Sequence, residues 1–383
     1  ADHVEAVEPR EREVGREEVV RGREVPVVEL LVVLDPFEDE EREAQEDGDA
    51  EVALAAGFGS LRRFNSAFRL TYKCAPRDLR RRKRSDSGAH PAGMVVLKLA
   101  FRPPYDFERV LAFLRARAIP GVEKTDASSY SRVVRTGNGE AIVSVSLMDG
   151  EHTLELRVTG ADPTDLFELS SAARRVFDTS ADPAQIMQAF GSDPILGPLV
   201  TRSPGLRIPG AWDAFECVVR AIMRQHISVT GESTLATRLV ERLGTRLKSP
   251  APGLTTLFPS PRAIAEGDLR GLGLTRNRIA AIQSLARAVV ARKFEFTVPT
   301  DEAVAALGQI SGVGEWTSQY VALRALGDPD AFPTSDLILR HKAGSGRGAL
   351  SEAELESRAE AWRPWRAYAA TYLWDAAARS GQG

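Results

Sequence analysis

The sequence predicts an α+β protein in three parts: a short helical module, an antiparallel α+β domain, and an all-α domain that runs to the C-terminus. Three observations predict it. Between Met94 and Thr159, apolar and polar residues alternate at the two-residue period of half-buried strands. From Ala181 onward no strand signal of comparable strength recurs, and helical periodicity alternates with Gly and Pro breaks. Between residues 51 and 82, Phe64, Phe68 and Tyr72 recur every four residues, which places them on one helix face. The expected divisions are 1–50, acidic and without fixed structure; 51–82, the helical module; 83–93, a linker; 94–200, the α+β domain; and 201–380, the all-α domain.

Charge is segregated along the chain. Residues 1–50 hold 18 acids and 6 bases, a net of −12 against −3 for the whole chain, so the remainder carries +9. A basic body fits a nucleic-acid partner, and ordinary surface charge accounts for it equally well. No apolar run approaches the ~20 residues of a membrane span, and the N-terminus lacks the charged-then-apolar order of a signal peptide. A cytoplasmic protein without a membrane partner is therefore expected. Cys74 and Cys217 are too few for a four-thiolate site, and the five histidines show no ligand spacing. No metal and no cofactor are expected.

In chain order, the acidic segment carries a short apolar run, Val27 to Leu34, and no motif. An Ala-rich helix follows and ends at Gly57. Ser60 can cap the next helix, whose apolar stripe is Phe64, Phe68 and Tyr72. Arg62, Arg63, Asn65 and Arg69 then lie away from that stripe, as DNA-contacting residues of a recognition helix would. The pattern AAGFGSxRRFNxAFRxxYxxxPxxLR resembles the second helix-turn-helix of AraC-type regulators, in the form found in Ada-type alkylation-response proteins. Such regulators carry two units. The upstream segment does not resemble the first, so the module is either a residual DNA-binding unit or a structural remnant. The basic run beginning at Arg80 opens a linker of small residues.

Strands are expected at Met94–Phe101, Ser129–Thr136, Ala141–Leu147 and His152–Thr159, with helices at Asp106–Ala118 and Pro163–Phe177. Ala211 to Val240 reads as two helices around a short irregular piece, with Gln225 and His226 near the end of the first. A histidine there is ordinarily a capping or surface residue. Gly271 and Gly273 precede a long helix that carries Arg276 and Arg278 in its first turn.

The chemistry concentrates between Leu307 and Arg340. Gly312 and Gly314 make a tight turn between helices, where glycine permits positive φ and close approach of a partner. The amides of the following helix can face a DNA phosphate, or the turn can be purely structural. Trp316 and Tyr320 lie one helical turn apart, either as core or as a slot for a flat, electron-poor ring. Asp336 precedes an apolar run and reads locally as a helix cap.

The run GVGEWTSQYVALRALGDPDAFPTSD resembles the helix-hairpin-helix and catalytic-aspartate motif of the AlkA-type 3-methyladenine DNA glycosylase II family. The likeness continues, in the same order, through PPYDFERVLAFLRARAIPGVE, PGLRIPGAWDAFECVVRAIMRQHISV and WRPWRAYAATYLW, and covers roughly residues 94–380. It implies a helix-hairpin-helix glycosylase domain behind the α+β domain. It also implies a monofunctional enzyme that flips an alkylated base of the 3-methyladenine or 7-methylguanine type out of double-stranded DNA and hydrolyses its glycosidic bond. Asp336 matches the family's catalytic acid. Trp316, Tyr320 and Trp374 match its pocket aromatics, and Phe113 is expected to line the same slot from the α+β domain. His226 falls at the wedge that fills the gap left by the flipped base, with Gln225 beside it in the minor groove. Relatives that also cleave the strand carry a lysine two residues after the second hairpin glycine, where this chain has Trp316. A monomer is expected. A regulator acting on promoter DNA through residues 51–82 and a catalytically inactive DNA-binding relative are the alternative readings.

Overall fold

The computed structural model describes residues 94–381, apart from Asn138, His226 and Arg347. The acidic segment, the linker, the helix-turn-helix with Arg62, Arg63, Asn65 and Arg69, and the expected wedge His226 lie outside the described residues. The remainder mixes an antiparallel sheet with helices.

Five strands pair antiparallel in the order β1-β5-β4-β3-β2: β1 (Met94–Ala100), β2 (Glu123–Thr125), β3 (Ser129–Arg135), β4 (Glu140–Leu147) and β5 (Thr153–Thr159). The two-residue period holds: β5 buries Leu154, Leu156 and Val158 and turns Arg157 outward. Val143 and Val145 of β4 sit opposite Val158 and Leu156, so one continuous apolar face results. A one-residue slip would send that whole set to the other face, which pins the register. Helices α1 (Phe107–Arg115) and α2 (Leu166–Val176) cover it with Val110, Leu111, Leu169 and Ala173. Asp106 starts α1 by accepting the Arg109 amide at 3.0 Å. Strand β2 escaped the sequence analysis because three residues define no period.

Strand β3 is buried on both faces, and the second cover is unexpected. A two-stranded hairpin, β6 (Thr245–Ala251) and β7 (Leu254–Leu257), lies within the part expected to be all-α. Leu247, Leu254 and Leu257 pack with Val133 of β3. Strand β6 contains Pro250 and little alternation, so its strand character comes from this contact. The local signal was Pro252-Gly253, a turn at which Gly253 takes φ +82°.

The helices that follow are α3 (Pro183–Phe190), α4 (Leu196–Arg202), α5 (Ala214–Arg224), α6 (Val229–Leu243), α7 (Pro261–Glu266), α8 (Arg276–Val290), α9 (Thr300–Gly308), α10 (Glu315–Val321), α11 (Leu337–Ala343), α12 (Glu352–Ala359) and α13 (Arg366–Arg379). They build two cores. One joins Val218 and Ile222 of α5 to Ile282 and Leu285 of α8, Leu307 and Val321. The other gathers Leu339, Trp362 and Tyr372 with Ile186, Phe190 and Val200. Thus α3 and α4, grouped with the α+β part on sequence, pack against the C-terminal helices. Val321, the last residue of α10, belongs to the first core, whereas Ala322 and Leu323 belong to the second. A wider π turn at Ala322–Leu326, closed by Gly327 at φ +72°, contributes to both, since its Ala325 returns to the first core. Helix α10 therefore stands at the seam between them.

Buried charges clamp the sheet to α5. Arg132 of β3 reaches Glu123 at 2.9 Å and also pairs with Glu216, while Arg220 holds Glu232 at 2.8 Å. The Tyr130 hydroxyl donates to Glu123 at 2.6 Å. Burial pushes the Glu216 carboxyl up, against the pull of Arg132 and Arg220. The orientation of α5, which ends just before Gln225, is thereby set from the sheet side.

Candidate active site

The glycine turn comes first because it aims α10. Gly312 takes φ +89°, and a Cβ there would lie 2.9 Å from the Ala281 Cβ on α8. Only glycine suits that turn, and the partner it approaches is the protein's own helix. Gly314 differs: its backbone is extended, with φ −90° and ψ 178°, and it caps α10 from open space. The expectation of positive φ holds for Gly312 and fails for Gly314, whose backbone is extended and whose missing Cβ leaves open space. Gln225 fastens this turn to the end of α5. Its amide nitrogen donates to the Gly312 carbonyl at 2.9 Å and to the Thr317 hydroxyl at 3.3 Å, and its own carbonyl accepts from the Arg278 guanidinium. The Gln225 amide expected in the minor groove is here engaged within the protein.

Three residues of α10 hold the loop that carries the acid. The Trp316 indole N–H donates to Asp336 Oδ2 at 2.8 Å. Gln319 accepts the Phe332 amide at 3.0 Å, and Glu315 accepts the Ser335 hydroxyl. Burial raises the Glu315 carboxyl above its ordinary range, in spite of these bonds. The other oxygen of Asp336, Oδ1, accepts the Leu339 amide at 3.0 Å and starts α11. The cap read from sequence is therefore present, and the same carboxylate is also oriented by Trp316. Asp336 is only 8% exposed, while its neighbour Leu337 is 58% exposed and places an apolar side chain in solvent beside it.

The expected pocket aromatics converge in part. Trp316 and Tyr320 stack at 5.0 Å with 11° between their planes, and Trp374 meets Tyr320 edge-on at 6.3 Å. Because Trp316 and Tyr320 lie against each other, the slot cannot be the space between them. A base would have to stack on an outer face. Phe113 lines one cavity with Tyr320, and the Arg324 guanidinium lies over both rings. The Arg117 guanidinium lies 3.6 Å from the Phe113 ring centroid and that of Arg324 lies at 4.2 Å, so the Phe113 faces serve the protein's own cations. Arg324 also lies 5.6 Å from the Tyr320 centroid and Arg224 lies at 5.8 Å.

These arginines surround a narrow cavity of about 80 Å³ between the sheet and α5, lined also by Phe113, Cys217 and Tyr320. Among the described residues, Arg117, Arg224 and Arg324 have no carboxylate within ion-pair distance, unlike Arg132 and Arg220 nearby. Burial pushes Arg117 down to about 10. Burial also acts to raise the Tyr320 phenol, but Arg324, Arg224 and Arg117 together outweigh it and leave the phenol below its ordinary range. Burial pushes the Cys217 thiol up to about 12, so it is no nucleophile. Sequence reasoning missed these arginines and also Glu315 and Gln319. One signal was available: Trp316, Tyr320 and Arg324 follow one another at four-residue spacing.

Residues 96–213 match the family described as the AlkA N-terminal domain. The chain is 38% identical over 328 residues to a Mycobacterium tuberculosis protein named "Probable bifunctional transcriptional activator/DNA repair enzyme AlkA", covering 85% of this chain and 66% of that protein. It thus spans just under two thirds of that relative's length. It is 32% identical over 281 residues to Escherichia coli DNA-3-methyladenine glycosylase 2, covering 72% of this chain and 95% of the relative. Among solved structures, it resembles a 3-methyladenine DNA-glycosylase from Archaeoglobus fulgidus with a TM-score of 0.62 at 22% identity, covering 72% of this chain and 96% of the other. An 8-oxoguanine glycosylase/lyase from Clostridium acetobutylicum, in complex with double-stranded DNA, matches with a TM-score of 0.53 at 17% identity over 69% of this chain and 100% of the other. At these identities the two structures establish a shared fold.

Proposed function

Because the chain belongs to the DNA-3-methyladenine glycosylase 2 (AlkA) family, we propose that it is a monofunctional DNA glycosylase that flips alkylated bases out of double-stranded DNA and hydrolyses their glycosidic bonds. The observation that carries this reading is the 2.8 Å bond from the Trp316 indole to Asp336. It joins a ring face for stacking and a carboxylate for the sugar into one rigid unit, and Gln319 and Glu315 brace the loop behind it.

The chemistry follows from what an alkylated base needs. Alkylation leaves the purine positively charged and its glycosidic bond weakened, so strong protonation of the leaving base is unnecessary. The flipped base stacks on the Trp316, Tyr320 and Trp374 group. As the bond breaks, positive charge develops on the sugar, and the Asp336 carboxylate stabilises it and orients the attacking water. A Cβ at Gly314 would meet open space at the start of α10, and this room supports a contact to a DNA phosphate beside the flipped nucleotide. Trp316 stands where a strand-cleaving relative carries lysine, so the product is an abasic site with the strand intact. His226 is the proposed wedge, and the chain acts as a monomer on duplex DNA.

A second reading adds to the first. The likeness of residues 51–82 to an AraC-type helix-turn-helix, together with the M. tuberculosis relative's name, supports a regulator of the alkylation response acting on promoter DNA through Arg62, Arg63, Asn65 and Arg69. Release of 3-methyladenine and 7-methylguanine from alkylated duplex DNA tests the enzyme reading: wild type releases both, and Asp336→Asn does not. No release by wild type would sink it. Deleting residues 1–90 tests the second reading, since base release should persist while any promoter-specific gel shift disappears.

A further inference from the structure

We propose that Arg224 is a specificity-determining residue, whose guanidinium disfavours a formally cationic base relative to a neutral one. The inference rests on the glycosylase reading. It starts from a mismatch: ring faces attract cations, yet two of the rings in this region, Phe113 and Tyr320, already carry the protein's own. Phe113 has guanidiniums at 3.6 and 4.2 Å, and Tyr320 has them at 5.6 and 5.8 Å. An arriving cation finds the quadrupole of Tyr320 already answered and meets like charge besides.

Among the three arginines, Arg224 is the one free to act on a substrate. Arg324 is 6% exposed and donates to the Pro209 carbonyl at 2.6 Å, while Arg117 donates to the Phe113 carbonyl at 3.2 Å. Both are built into the walls. Arg224 is half-buried at the last position of α5, directly before Gln225, which holds the glycine turn. Among the described residues its side chain has one hydrogen-bond partner, the Tyr320 hydroxyl, at a long 3.5 Å. Among the described residues no carboxylate pairs with it; Glu216 and Glu232 are taken by Arg132 and Arg220. The same arginines hold the phenol of Tyr320 below its ordinary range, as a positive surrounding does. At an effective dielectric of about 20, like unit charges ~8 Å apart repel enough to change binding by roughly tenfold or more.

The test uses two bases that share a 6-carbonyl and differ in formal charge: 7-methylguanine, a cation in the nucleoside, and hypoxanthine, which is neutral. Single-turnover release of each from an otherwise identical duplex is measured with the full chain as wild type, Arg224→Met, Arg224→Gln and Arg224→Lys. Comparing ratios between variants cancels the different lability of the two bonds. The neutral variants are expected to raise the 7-methylguanine to hypoxanthine ratio by roughly tenfold, and Arg224→Lys is expected to keep the wild-type ratio. The proposal is overturned if both neutral variants keep the wild-type ratio, or if Arg224→Lys shifts it as they do. Wild type releasing neither base would overturn the glycosylase reading and this inference with it, an outcome distinct from release at an unchanged ratio.

Discussion

The decisive perturbation is Asp336→Asn, because the structure separates what it does to the fold from what it does to the reaction. Asp336 uses both oxygens: Oδ1 accepts the Leu339 amide at 3.0 Å and Oδ2 accepts the Trp316 indole N–H at 2.8 Å. An amide has one acceptor. If its oxygen caps α11, its NH2 faces the indole donor; if it is turned over, the NH2 faces the Leu339 amide. One buried donor is lost either way, which costs about 1–3 kcal/mol of stability. Removing the negative charge opposite the developing sugar cation costs a further ~3–4 kcal/mol in the transition state, or roughly 10²–10³ in rate. The double variant Trp316→Phe/Asp336→Asn separates the two effects. Phe keeps an aromatic face and removes the donor, so part of the lost stability returns. The rate of base release stays down, because the charge is still missing. Urea unfolding and single-turnover release of 7-methylguanine measure the two quantities. If rate recovers along with stability in the double variant, or if Asp336→Asn alone stays within about threefold of wild type, Asp336 is a helix cap and the mechanism is wrong.

Three further predictions concern the frame around the site. Gly312→Ala forces a residue with a Cβ into φ +89° and against Ala281, and should destabilise the protein by about 1–3 kcal/mol in urea unfolding; Gly314→Ala meets no atom within 4 Å and should leave stability unchanged while weakening duplex binding in an anisotropy titration. Equal stability losses at both positions would contradict this division of roles. Arg132→Met leaves Glu123 and Glu216 buried beside each other with only Arg220 to answer both, and should cost about 3–5 kcal/mol of unfolding free energy. Asp178, pushed up to about 6 by burial although it accepts from the Ile208 amide at 2.9 Å and the Tyr368 hydroxyl at 2.7 Å, binds its proton more tightly folded than unfolded. Its contribution is complete below about pH 4 and is lost as pH rises through about 6, so the fall in Tm between pH 5 and pH 7.5 should flatten in Asp178→Asn; an unaltered slope would assign that fall to other groups.

Much of the molecule was legible because the physics involved is local. The alternation of β5 and β4 puts their apolar residues on one face whatever they pack against, and antiparallel pairing follows. The four-residue spacing of Trp316 and Tyr320 is a property of any helix, so their common face needed no fold. The cap at Asp336 needed only its own amides, and the order of the motifs around it marked the family. What the sequence could not determine lies in contacts between distant segments. Strand β6 is a strand because Val133 of β3 offers it a surface, and α3 and α4 join the C-terminal core because their apolar faces meet it there. The indole that touches Asp336 is 20 residues away, and nothing local says whether Trp316 will donate to the acid or stack on a base. Arg224 ends α5, Arg117 lies in the turn after α1 and Arg324 in the π turn after α10, and only their convergence on Tyr320 and Phe113 turns unremarkable surface-type residues into an uncompensated positive field. Periodicity and spacing belong to the chain as written, whereas the electrostatics of the site is a sum over distances that exist only once the chain has folded.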